Sequence, residues 1–252
     1  NDGVINVDEI IAGTDLNDAN DYPQVLFKEL SLKEPMMNGY EVCDVSSNGE
    51  KVYGKSNGYG YYDGHVWENG VYKSPAPASV YCSQIADNGA IALSNEVGIP
   101  VEYVENDHPY VGYIYDFAQY PDGFELKDWG IISGNGQIIA GTYNGLAAIW
   151  NGSEIIELLP PGNNYLHNIA AGVSYDGEIV TGYADYDNDQ GIISKPFAWS
   201  ATYGFNELKC ETGSVCEIFG VSDDGLTVIG FVHSGEAETT YAAWWDANGN
   251  SH

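Results

Sequence analysis

Val173-Ser174-Tyr175-Asp176-Gly177 is a phrase that the chain repeats. A β-branched residue comes first, then usually Ser, a variable residue, and Asn or Asp followed by Gly. The other copies are Val45-Ser46-Ser47-Asn48-Gly49, Ile85-Ala86-Asp87-Asn88-Gly89, Ile132-Ser133-Gly134-Asn135-Gly136 and Val221-Ser222-Asp223-Asp224-Gly225. Successive Asx positions lie 40, 47, 41 and 48 residues apart. Asn-Gly and Asp-Gly accept positive φ, so each phrase predicts a tight turn between two antiparallel strands. A phrase recurring in order at this period is the mark of a repeat architecture.

The residues after each turn repeat as well. Six residues past the Asx stands Gly54, Gly141, Gly182 or Gly230, with Ser94 as the exception. A small residue at a fixed strand position predicts close approach by a neighbouring sheet or an aromatic ring. An aromatic anchor follows: Trp67, Tyr115, Trp150, Trp199 and the pair Trp244-Trp245. After it come short strands that carry Glu-Leu, at Glu125-Leu126, Glu157-Leu158 and Glu207-Leu208.

Each unit is thus about four short strands, the content of a β-propeller blade. A single sheet of this size cannot cover both faces, so the units must stack on one another. The expectation is an all-β, five-bladed β-propeller of four-stranded antiparallel blades, starting near residues 40, 80, 127, 168 and 215. The fifth unit stops just past its third strand. Gln24–Leu32, reading QVLFKELSL with Glu29-Leu30 in the fourth-strand pattern, is expected to close the ring within segment 22–34 and hide two open edges.

The 252 residues carry a formal charge of −29, with 37 acids against eight cations, all of them Lys. Such a surface repels phosphate backbones, which argues against nucleic acid and anionic membranes as partners. No apolar run approaches the roughly 20 residues that a membrane helix needs.

The phrase VSxDG, then a Gly-containing strand, an aromatic strand and Glu-Leu, resembles the bacterial extracellular HAF repeat family over residues 40–252. That resemblance implies secretion and a repeated β architecture, and it implies no reaction. It makes a secreted or cell-surface location the expectation.

Residues 1–21 have different chemistry. In Asn1-Asp2-Gly3-Val4-Ile5-Asn6-Val7-Asp8-Glu9, Asp2 precedes a loop glycine and Glu9 stands at the final, bidentate position of an EF-hand-type calcium loop. With Asp15, Asn17 and Asp21 the segment is similar to dockerin and thrombospondin type-3 repeats, which implies a partial calcium loop leading into the repeats. A second set of alternating carboxylates, Asp185, Asp187 and Asp189, is a further candidate for Ca2+, or else a solvated loop between two strands.

Cysteines favour an oxidising compartment. Cys43 and Cys82 hold nearly equivalent first-strand positions, and Cys210 and Cys216 flank a short loop, so Cys43–Cys82 and Cys210–Cys216 are the expected disulfides. No G-x-S-x-G elbow, phosphate-binding glycine loop or H-E-x-x-H occurs. The expected role is therefore a non-enzymatic binding, adhesion or structural module of a larger extracellular protein. Its partner would be a glycan or another cell-surface protein, with Tyr59, Tyr61 and Tyr62 in a Gly-rich loop as candidate sugar platforms. The alternative is a glycoside-acting enzyme that uses channel carboxylates such as Asp44.

Overall fold

A computed structural model describes residues 40–58, 61–76, 84–92, 96–104, 111–126, 131–162, 164–188, 191–211, 214–234 and 239–252. The expected leader 1–21 and closing segment 22–34 lie outside the described residues. Among the described residues there is no helix, and every paired strand runs antiparallel to its neighbour.

The first sheet holds β1 (Tyr40–Val45), β2 (Lys51–Gly58), β3 (Tyr61–Glu68) and β4 (Val71–Ala76) in that order. The second holds β5 (Ile91–Ala92), β6 (Glu96–Val104) and β7 (Val111–Gln119). The third is built on β10 (Ile139–Tyr143), with β11 (Leu146–Trp150) and β12 (Ile155–Glu157) on one side. On the other side β8 (Phe124–Glu125) and β9 (Ile131–Ile132) share the edge of β10. The fourth runs β13 (Tyr165–Val173), β14 (Val180–Asn188), β15 (Gly191–Ser200) and β16 (Gly204–Glu207). The fifth holds β17 (Ser214–Val221), β18 (Val228–Ser234) and β19 (Thr239–Trp245).

The five phrases form the turns between the first and second strands of their units. In the fourth, Ser174 Oγ donates to Asp176 Oδ1 at 2.7 Å and accepts from Ile179 N at 3.0 Å. Asp176 Oδ1 also accepts from Glu178 N, and Gly177 sits at φ 80°. Ser46, Ser133 and Ser222 brace their turns in the same way, each hydroxyl reaching the N–H five residues on. Here the side chains replace strand partners that a turn cannot supply.

These turns also touch one another in a cycle. Asn48 N donates to Asp87 Oδ1, Asp87 N to Gly134 O, Asn135 N to Tyr175 O and Tyr175 N to Asp223 O, at 2.8–3.0 Å. Ser47 Oγ then donates to Asp223 Oδ1 at 3.3 Å, linking the last turn to the first across 176 residues. A Cβ on Gly134 would collide with both Tyr175 and Ser47. Side chains from two turns therefore converge on the backbone of a third.

The glycines after the turns have a cause other than the expected neighbouring sheet. β1, β13 and β17 each carry a register shift, between Val42 and Asp44, Ala170 and Gly172, and Ile218 and Gly220. Opposite each bulge the partner is Gly54, Gly182 or Gly230, where a Cβ would run into the carbonyl oxygen of Glu41, Ile169 or Glu217. A bulge pushes backbone towards its partner strand, and only glycine leaves the room. The aromatic part of the expectation holds for Gly54, beside Trp67, for Gly141, beside Phe124, and for Gly182, beside Phe197.

Three further assignments change. Trp67, Trp150, Trp199 and Trp245 share one register, opposite Val52, Ile139, Val180 and Val228, so the last anchor is Trp245 and not Trp244. In the second unit Gly98 takes that register opposite Ile91, and Tyr115 lies one strand further out. Glu125-Leu126 was expected as a fourth strand of unit two. Instead Glu125 pairs with Thr142, in the first-strand place of the third sheet. At the chain end, Ser251 bridges to Trp245 and His252 exchanges backbone hydrogen bonds with Trp244, so the edge beside Trp244 and Trp245 is already taken.

Candidate functional site

A cavity of about 760 Å³ lies along the halves of β13 and β17 that precede their turns. It is lined by His167, Ile169, Ala170 and Ala171 of β13 and by Val215 to Phe219 of β17; Tyr183, Asp185, Ser194, Gln84 and Ile131 complete the wall. Alternation in an extended strand places His167, Ile169 and Ala171 on one side of β13, and Val215, Glu217 and Phe219 on one side of β17. The opposite side of β17, Cys216 and Ile218, packs with Leu208, Val228, Val232, Ala243 and Trp245 in a core that also takes in Ala171. The disulfide Cys210–Cys216 fastens the start of β17 to the preceding connection and so fixes one cavity wall.

The polar centre of the cavity is Asp185. Ser194, its cross-strand partner, donates to Oδ1, and His167 Nε2 lies 3.3 Å from Oδ2. The order is Ser–Asp–His with the carboxylate in the middle, so no imidazole stands against the hydroxyl to activate it as a nucleophile. Glu217, more open, pairs through Oε1 with His233 Nε2 at 3.4 Å, and His233 Nδ1 shares a 2.8 Å hydrogen bond with Thr240. Phe219 presents a half-exposed ring, held edge-on by Phe231 with centroids 4.9 Å apart. The wall thus offers carboxylates, a hydroxyl, an amide and an imidazole beside aromatic and aliphatic surface, the mixture found in small-molecule pockets.

The sequence-level candidates fall as follows. Asp185 and Asp187 stand on β14 and not in a loop, and Asp189 lies outside the described residues. Asp187 is exposed and its backbone pairs with Asn164. Among the described residues no group of three metal-ligating side chains comes together. Asp2, Glu9, Asp15, Asn17 and Asp21 lie outside the described residues. Tyr61 and Tyr62 open β3 and are not loop residues, while Tyr59 is outside the described residues. Cys43 is disulfide-bonded, and Cys82, its expected partner, is again outside.

Asp44 does not line the cavity. Its Oδ2 accepts from Ile85 N at 2.8 Å, tying the first unit to the second. Burial pushes its carboxyl above the usual carboxylate range, against the pull of that hydrogen bond. The lining residues His167, Tyr183, Ser194, Glu217 and Phe219 were not singled out from the sequence. The available signal was the two-residue alternation of His167, Ile169 and Ala171 and of Val215, Glu217 and Phe219, read in register from the turns.

No family model and no curated protein sequence matches the chain. Its similarity to solved structures is to β-propeller-like proteins at low identity. TolB from Acinetobacter baumannii matches at TM-score 0.47 and 12% identity over 84% of this chain and 53% of that one. A putative TolB from Agrobacterium tumefaciens matches at TM-score 0.47 and 12% identity over 86% and 80%. An ancestral GH74 enzyme matches at TM-score 0.41 and 11% identity over 88% and 33%. The chain spans about half the length of the first of these.

Proposed function

We propose that this chain is a binding module of a larger secreted or cell-surface protein, folded as a ring of five blades, that takes a glycan in the cavity between β13 and β17. The cycle of turn contacts from Ser47 round to Asp223 supports the ring. The observation that carries the binding reading is the cavity wall, where Asp185, Ser194, His167 and Gln84 stand beside the rings of Tyr183 and Phe219. Sugar rings need that pairing, because they present hydroxyls at the edge and C–H surface on the face. The disulfide supports an oxidising compartment. Calcium remains part of this reading as a stabilising ion, and it requires a higher melting temperature in calcium than in sodium chloride of equal ionic strength.

Screening the chain on a glycan array, followed by calorimetry with the best oligosaccharide, tests the proposal. Saturable binding that is lost in Phe219→Ala and Tyr183→Ala is expected. Binding that survives both substitutions would move the site elsewhere.

A second reading has one specific observation in its favour: two carboxylates, Asp185 and Glu217, line the same cavity. Glycoside hydrolysis uses such a pair as acid and base or nucleophile. Release of reducing ends from the bound oligosaccharide, abolished in Glu217→Gln, would favour it over plain binding.

A further inference from the structure

The charges around the cavity are one-sided. Asp185 and Glu217 line it, and among the described residues no Lys does. Lys195 follows Ser194 directly in β15, so its side chain leaves on the opposite face. There it pairs with Glu207 at 2.8 Å and stands 5.2 Å from the centre of the Tyr186 ring. The Asp185 side chain retains only 13% exposure. Ser194 and His167 take two of the roughly four acceptor positions of a carboxylate, which leaves capacity for a donor arriving from the cavity. In a cleft with low-dielectric walls on a chain of charge −29, the field of these carboxylates is focused inward.

We infer that the cavity selects an amino sugar, its protonated amine received by Asp185 and Glu217 and its ring set against Tyr183 and Phe219. This rests on the glycan reading above and narrows it. A neutral sugar would bring no charge to either carboxylate, and a uronate would be repelled. An ammonium forms charge-assisted hydrogen bonds, about twice as strong as neutral ones, and its charge also suits the aromatic faces.

Calorimetric titration of the full chain at fixed ionic strength tests the inference. The probes are glucosamine dimers and trimers, their N-acetylated counterparts, a galacturonate trimer and 1,5-diaminopentane. The glucosamine oligomers are expected to bind about tenfold or more tightly than the N-acetylated forms, with no binding of the uronate. Glu217→Gln should erase that preference, as should Asp185→Asn if its near-ultraviolet dichroism shows native packing. Glu217 is half-exposed, so its substitution keeps the test open if Asp185→Asn does not fold. Glu178→Gln, outside the cavity, should change nothing. Equal affinity for amine and N-acetyl forms would overturn the amine selection and leave a glycan site standing. Diaminopentane binding as tightly as the glucosamine oligomers would overturn the sugar component. Failure of every sugar to bind would remove both the selection and the glycan reading.

Discussion

The second and fourth turns follow the same pattern, but the position that holds Ser174 in the fourth holds Ala86 in the second. In the fourth, Ser174 N bonds to Ile179 O, five residues on, and the hydroxyl fills the space inside the turn with two hydrogen bonds. In the second, Ala86 stands where Ser would, and Ala86 N bonds to Ala90 O, only four residues on. Val173 and Val180 pair across the longer turn, whereas Ile85 and Ile91 pair across the shorter one. Without a hydroxyl to span the gap, the turn closes one residue earlier. Every strand position that follows is then displaced by one relative to the other units. Counted this way the residue equivalent to Gly54, Gly141, Gly182 and Gly230 is Leu93 and not Ser94, so the second unit lacks that glycine altogether.

The expected losses on substitution fall in order from backbone to protonation. The largest effect is expected at Gly182, whose added Cβ would meet the Ile169 carbonyl across the bulge. Gly182→Ala should destabilise the chain by on the order of 3 kcal/mol or prevent folding, as forced backbone displacements in packed sites do. Gly49→Ala meets nothing within 4 Å and only forces a left-handed φ of 73°, so about 1 kcal/mol is expected. Urea midpoints for the two variants check the order, and equal losses would remove the bulge as the cause.

Next comes the hydroxyl. Ser174→Ala strips Ile179 N and Asp176 of a partner and should cost about 1–2 kcal/mol by chemical denaturation. Ala86→Ser runs the other way. Ala86 is fully buried in a turn that already closes through its own backbone. An added hydroxyl there should destabilise by about 1 kcal/mol, not stabilise. A gain in stability would show that the two turns are interchangeable after all.

The smallest effect is in acid. The Glu178 backbone N–H and then the Ser174 hydroxyl hold Asp176 below its ordinary value; the Ser222 hydroxyl and then the Leu226 N–H do the same for Asp224. A carboxyl lowered in the folded state contributes stability above its unfolded pKa of about 3.9, and the contribution is lost as pH falls through the lowered value. Asn48, Asn88 and Asn135 fill the same place in the other turns and do not titrate. Asp176→Asn with Asp224→Asn should therefore flatten the loss of stability as pH falls below about 4, while lowering stability slightly at neutral pH. Parallel acid limbs for the double variant and the parent protein would contradict the assignment.

Much of the fold was legible because the turn chemistry is local. A Ser, an Asx and a Gly at fixed spacing specify their own hydrogen bonds, and the anchoring tryptophans follow at a fixed register. Glu125-Leu126 was misread because the phrase Glu-Leu carries no information on which neighbour a strand pairs with. The glycine positions were seen, but their cause was not, since a bulge in the facing strand has no signature in the glycine's own segment. The cavity was the least legible part. It draws His167 and Ser194 to Asp185 from three strands, and brings Glu217 from a fourth. Asp187 has the same spacing logic as Asp185, yet it points into solvent.

Ligand recognition is assigned to the cavity between β13 and β17. Backbone amide chemical-shift mapping of the full chain, titrated with a glucosamine trimer, addresses it most directly. Saturable shifts are expected at His167 to Ala171, Tyr183 to Asp185, Ser194 and Val215 to Phe219, with Asn48, Asn135 and Asp224 in the turns unmoved. Shifts spread evenly over the acidic surface, or concentrated at the turns, would contradict it.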